Sequence, residues 1–163
     1  MAKETRVDLA GMARGVIDTN RYLTLGTTEP DGRPRVSPVY FTHDGYRDFY
    51  WVSGPSAHHS ENVRARPDVA IVIYDSTVAV GQGRAVYLTA RAHEVPDDEL
   101  VARAAAAWST VPPGGARAFD PSELRGDADL RLYVARATKH EVHIPGGDPT
   151  YGTGTDTRRE VIV

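Results

Sequence analysis

The sequence predicts a mainly β domain with flanking helices, an antiparallel barrel that is closed or partly closed. Three observations predict it. Five or six strand patterns recur at short intervals, and the early ones are joined by hairpin-type turns. Helical patterns fall between some strands only, whereas a parallel doubly wound sheet needs a helix after nearly every strand. At 163 residues the chain has the size of one domain with room for a real core. No repeat or break in composition divides it. Residues 1–144 are expected to form this domain with an N-terminal helix, and residues 145–163 a C-terminal extended arm.

The elements follow in order. Leu9, Met12, Ala13, Val16 and Ile17 share one helical face, against the helix-weakening Gly11 and Gly15. Tyr22 to Thr28 is a strand, closed by turn chemistry at Pro30, Asp31 and Gly32. Arg35 to His43 is the next, with Val36, Pro38 and Tyr40 on one side and Ser37, Val39 and Phe41 on the other. Pro38 has no amide to donate, which puts this strand at an edge or breaks it locally there. After Asp44-Gly45, Phe49 to Ser53 is an aromatic-rich strand ended by Gly54-Pro55. Ser56 is positioned to cap a short helix that runs to about Arg66. The continuous apolar run Val69–Tyr74 predicts a strand buried on both faces.

Gly81-Gln82-Gly83 leads into a strand from Arg84 to about Val95. Pro96, Asp97 and Asp98 start the strongest helix, through the alanine run to Trp108. Val111 to Asp127 is loop, and Leu130 to Ile144 a long last strand. The tail from Pro145 has few apolar residues before Val161 and is expected to stay loose unless a partner surface holds it.

Composition narrows the function classes. Nineteen basic against 22 acidic residues give a formal charge of -3, without the basic surplus of a non-specific nucleic-acid binder. The absence of cysteine removes disulfides, thiolate metal sites and Cys nucleophiles. No apolar run reaches the length of a membrane span, and Lys3-Glu4-Thr5-Arg6 opens without the apolar stretch of a secretion signal. A cytoplasmic protein is the expectation.

One segment concentrates chemistry. Ser53, Ser56, His58, His59, Ser60 and Asn62 place hydroxyls, imidazoles and a helix N-terminus within a short span, which is what a phosphate needs. A polar cap on a solvated loop is the plainer alternative. Adjacent histidines point about 100° apart on a helix and rarely share one ion; with no third ligand in view, no metal site is assigned. His43, His93, His140 and His143 fall at turns and strand ends, and Asp18, Asp31, Asp97 and Asp98 at capping positions. No pair of carboxylates stands out for acid–base work. Gly81-Gln82-Gly83 lacks the Lys-Ser/Thr end of a Walker loop.

The order of these pieces resembles a known family. Arg21 to Asp75 carries Gly32-Arg33-Pro34-Arg35-Val36-Ser37-Pro38-Val39, then a strand ending at Ser53, then a turn and short helix containing His59 and Asn62, then a Pro67-Asp68-Val69 strand. It is similar to the pyridoxamine 5'-phosphate oxidase-like flavin-binding split-barrel proteins, in which the helix reads Ser-x-Lys-x-x-Asn-Leu. The similarity extends more loosely through Arg91 and over Leu130 to Ile144. It implies an antiparallel split β-barrel of the FMN-binding type, assembled as a homodimer with two cofactor sites at the interface. Ser53 then matches the hydroxyl on the flavin phosphate, and His59 stands where the family often has the phosphate-binding Lys. His58 occupies the neighbouring position, and Val52 precedes Ser53. Arg35, Val36, Ser37, Pro38 and Val39, on to Tyr40, match the strand along the isoalloxazine ring. Gln82 or Arg84 corresponds to a Gln reaching in from the partner subunit.

The departures are His59 for Lys, Ala57 for Ser, and no strongly basic set near Lys139-His140-Glu141 for a substrate phosphate. Three functions stand open: an oxidoreductase using FMN on a small organic substrate, a reductase using the deazaflavin coenzyme F420 with Arg64 and Arg66 on its longer anionic tail, or a non-catalytic flavin or haem carrier. Trp108 and Tyr151 are candidates to line the substrate pocket, with core packing and a loose arm as their alternatives.

Overall fold

The computed structural model describes residues 8–111 and 114–163. The opening Lys3–Arg6 segment lies outside them. Helix α1 (Leu9–Thr19) is followed by β1 (Tyr22–Thr28), β2 (Pro34–Tyr40), β3 (Thr42–Asp44) and β4 (Asp48–Ser53). Then come α2 (His58–Ala65), β5 (Asp68–Tyr74), β6 (Ala85–Glu94), α3 (Leu100–Trp108), β7 (Arg131–Ile144) and β8 (Thr157–Val161). All the strands belong to one antiparallel sheet, ordered β2-β1-β5-β6-β7-β4-β3, with β8 on β7.

That order makes the sheet curl. β2 and β3 are separated by Phe41 alone, yet they are the opposite ends of the path. The sheet therefore wraps round until its ends meet at Phe41. β2 pairs with β1 and β3 with β4, and neither pairs with the other, so the barrel is split at this seam. The single strand expected over Arg35–His43 breaks here for that reason. Phe41 turns its ring into the core and its amide donates to the Arg21 carbonyl at 3.1 Å. Pro38 sits on the edge strand, as its missing donor requires.

Alternation along the strands divides the apolar side chains into two clusters. Leu23, Leu25, Ile71, Ile73, Val86 and Phe49 fill the barrel. Tyr50, Leu132 and Val134 point the other way, onto Leu100, Ala104 and Ala107 of α3. Asp48, only 6% exposed, joins these layers: Arg136 grips it with Nε at 2.8 Å and Nη2 at 2.7 Å, and Arg103 of α3 donates at 3.1 Å. The Arg136 hydrogen bonds hold its carboxyl below the ordinary aspartate range.

Four further expectations change. β5 is buried on one face only: Val69, Ile71 and Ile73 point inward while Ala70 and Tyr74 face out. Its outer apolar residues continue onto β1 and β2, where Tyr22 and Val36 are 62% and 71% exposed. α2 begins at His58 with Ala57 at its N-cap, and no side chain caps it; Ser56 is exposed. α3 begins at Leu100, because residues 96–99 are spent in a turn closed by Glu99 N–H on the Pro96 carbonyl. The tail folds back on its own chain as β8, antiparallel to β7, with Arg158 stacked 3.6 Å from the centre of the Tyr87 ring.

Gly11 also gains a reason. A Cβ there would sit 2.5 Å from the Asp8 carboxylate that caps α1, so the helix-weakening residue is what admits the cap. Within the loop read over Val111–Asp127, a 3-10 turn at Pro121–Leu124 carries a reciprocal capping box between Asp120 and Glu123. Among the described residues, no helix is long and apolar enough to cross a membrane.

Candidate cofactor site

The last residue of β4 and the first turn of α2 face each other across the Gly54–Ala57 turn. Ser53 Oγ and His59 Nε2 are 2.8 Å apart. The turn closes with Ala57 N–H on the Gly54 carbonyl, and the amides of Ser60 and Glu61 both reach the Ala57 carbonyl. The amides of His58 and His59 make no such backbone bond among the described residues. With alanine at the N-cap, they are the orphan donors of a helix start, carrying the positive end of its dipole.

His59 is half-buried, and burial lowers its pKa below the ordinary 6.5, with the neighbouring charge of His58 adding to the effect. At neutral pH it is an uncharged donor or acceptor on Ser53. His58 is exposed, its Nδ1 3.9 Å from Glu29 Oε1. Glu29 also holds Arg35 Nε. Arg35, Val36, His58 and Glu29 line one cleft of about 640 Å³ beside the turn. The two arginines of α2 and its C-cap pin its rim: Arg64 donates to the Pro55 carbonyl and Arg66 to the Pro30 carbonyl, each at 3.1 Å.

The expected site residues thus divide by position. Ser53, His58, His59, Arg35 and Val36 gather around the turn and its cleft. Ser37 and Val39 point toward the barrel, and Pro38 outward. Asn62 is 3% exposed and donates to Thr27 Oγ1 at 3.1 Å, which makes it the tie between α2 and β1. Val52 lines a second cavity of about 520 Å³, shared with Trp108. Gln82 and Arg84 lie in a separate cleft with Met12 and His143, so one chain does not bring them to Ser53. Tyr151 packs against the main core.

Glu29 was not among the expected residues. Its signal was in the hairpin register: Thr27 opposes Arg35, which leaves Glu29 beyond the strand end, within reach of the guanidinium. Among the described residues, no group of three or more His, Asp or Glu is placed to hold a metal ion. The arrangement can bind an anion with fixed donors.

The family profile described as pyridoxamine 5'-phosphate oxidase matches residues 10–141. A search of curated proteins finds no match. Solved structures with the same fold include a heme-binding protein from Mycobacterium smegmatis, at 21% identity and TM-score 0.67, covering 95% of this chain and 59% of that one. A heme storage protein from Vibrio cholerae matches at 20% identity and TM-score 0.60, covering 91% and 99%. An F420 reductase matches at 22% identity and TM-score 0.55, covering 78% and 94%. These likenesses establish the fold, and the profile match over most of the chain establishes more: this protein belongs to the pyridoxamine 5'-phosphate oxidase family.

Proposed function

We propose that the protein is a flavin-dependent oxidoreductase that binds FMN at a homodimer interface and moves hydride to or from a small organic substrate. The observation that carries this is the uncapped start of α2, where the His58 and His59 amides and the Ser53–His59 pair converge. A phosphate is the natural cap for such a helix.

The donor set fits the group. Ser53, His59 and the two amides would hold the phosphate, with Arg35 and His58 on the cleft side. β2 is an edge strand, so one side of its backbone from Val36 to Val39 has unpaired amides and carbonyls free for a ring's polar rim. The outward Tyr22, Val36 and Tyr74 offer an apolar face to a second copy. Gln82 and Arg84, remote from Ser53 in their own chain, are then the residues the partner would contribute. Bound in this site, a flavin supplies the hydride chemistry, which is why no side-chain acid or base is required.

A second reading is coenzyme F420 in the same place, with Arg64 and Arg66, which stand at the rim of the turn on the Pro55 and Pro30 carbonyls, offered to its longer anionic tail. The visible spectrum of the purified protein, with the cofactor released on denaturation, tests both. Flavin bands and free FMN support the first reading. A colourless protein that takes up F420 and not FMN replaces it with the second, and a Soret band replaces both with haem.

A further inference from the structure

One side of the β1–β2 hairpin meets the start of α2. Asn62 seats the helix on β1 through Thr27, and Thr27 opposes Arg35 across the hairpin, so Arg35 stands on the side that α2 covers. Just past the end of β1, Glu29 reaches the same place. Its carboxylate holds Arg35 Nε and lies 3.9 Å from His58 Nδ1 in the first turn of α2.

An acid is therefore already in place between the guanidinium and the helix start. The positive end of the helix favours a carboxylate there, as it would favour a phosphate. Glu29 is also the more enclosed of the pair, its side chain 16% exposed against 42% for Arg35. Its backbone is held in the turn, with its N–H on the Arg33 carbonyl at 2.8 Å and its carbonyl accepting from Gly32 N–H at 2.9 Å. Arg35 is the member able to change partner: its Nη groups carry no hydrogen bond among the described residues. The rest of the cleft is balanced in the same way. Arg33, its other guanidinium, is paired with Asp31 through Nε at 2.8 Å and Nη2 at 2.7 Å. Each guanidinium lining the cleft is thus matched by a carboxylate of its own hairpin, and a simple anion approaching it meets little net attraction.

We propose that Glu29 is the resident anion of this site and sets its specificity. It keeps Arg35 in the empty protein and gives it up only to a phosphate carried on a ring that also binds, so that free phosphate and other small anions are refused. The role rests on the cofactor reading above. On binding, Arg35 exchanges one oxygen acceptor for another, and contacts of the ring along β2 offset the cost of the exchange. Without the Glu29 charge, the cleft takes free phosphate as well.

Wild type, Glu29→Gln, Arg35→Gln and the double variant are each titrated with FMN and with riboflavin by flavin fluorescence quenching. Glu29→Gln is expected to bind FMN about tenfold tighter, the value of one released charge-assisted contact. Its riboflavin affinity is expected to be unchanged, which also reports an intact ring site. On the Arg35→Gln background the same substitution is expected to gain less than about threefold, because the guanidinium it would release is gone. Inorganic phosphate is expected to compete with FMN in Glu29→Gln and not in wild type. No gain for FMN, an equal gain for riboflavin, or equal competition by phosphate in the two proteins overturns the proposal. An equal gain on the Arg35→Gln background also overturns it, since plain repulsion then accounts for the effect. The Arg35 Nε–H resonance, identified by its loss in Arg35→Gln, gives a readout without flavin: inorganic phosphate should shift it in Glu29→Gln and leave it in place in wild type. If FMN binds none of the four proteins, the cofactor reading has failed and this resonance decides alone. The contrast between the two proteins then sustains Glu29 as the resident anion of the cleft, and equal shifts, or none in either, overturn it.

Discussion

Replacing His59 by lysine puts a fixed charge where the wild type has a neutral imidazole. His59 is half-buried and bonded to Ser53 at 2.8 Å, and burial keeps it uncharged at neutral pH. A neutral hydrogen bond to a ligand contributes about 0.5–1.5 kcal/mol and a charge-assisted one about 1.5–3. The difference between the midpoints, about 1.25 kcal/mol, is close to tenfold in affinity. At about pH 8 the His59→Lys variant should therefore bind FMN roughly tenfold tighter than wild type. As pH falls below the ordinary imidazole range, wild-type His59 gains its own proton beside the phosphate, and the ratio of the two affinities should fall toward one. Protonation of the phosphate over the same range shrinks the lysine's advantage and moves the ratio the same way. Flavin fluorescence quenching measures it, with riboflavin as the ligand lacking phosphate. A ratio that does not change with pH, or an equal gain for riboflavin, would refute the reasoning.

Asp48→Asn removes the charge that two arginines share, and the loss should be about 2–3 kcal/mol, below the 3–5 typical of a broken buried pair because Arg136 is half-exposed; urea denaturation measures it. Since the Asp48 pKa is lowered on folding, this contribution is present above the unfolded aspartate value and is lost as pH falls through the folded one. Val36→Asp on the exposed face should convert a dimer to monomer in sedimentation or light scattering while leaving the thermal midpoint of the monomer little changed. Deleting residues 157–163 removes β8, and hydrogen exchange should then quicken over His140–Ile144 of β7 and not over Arg131–Arg136, which β4 still pairs.

Much of this was legible in the chain. β1 and β7 announce themselves by alternation and turn residues, and Pro38 alone places β2 at an edge. The break at Phe41 was not legible, because it arises from sheet closure: Tyr40 must pair back on β1 while Thr42 pairs forward on β4. β5 misled through its composition. Its outer residues are apolar without being buried in one chain, and a sequence cannot separate burial in a core from an apolar outer face. Likewise, Asn62 reads as a polar residue of the site, but only the packing of α2 on β1 turns it toward Thr27. Ser56 has the right chemistry for a cap and falls one residue early. The cavity shared by Val52 and Trp108 draws on residues from Arg21 to Leu132 and has no local signature.

Whether the turn from Ser53 to His59 grips a phosphate comes down to one comparison, the affinity of the wild-type protein for FMN against riboflavin, which differ by the phosphate alone. The structure predicts a preference for FMN of at least about tenfold, the value of one charge-assisted contact, that disappears in the Ser53→Ala, His59→Ala double variant and persists in His43→Ala. Equal affinities for FMN and riboflavin in the wild type, or a preference that survives the double variant, would contradict it.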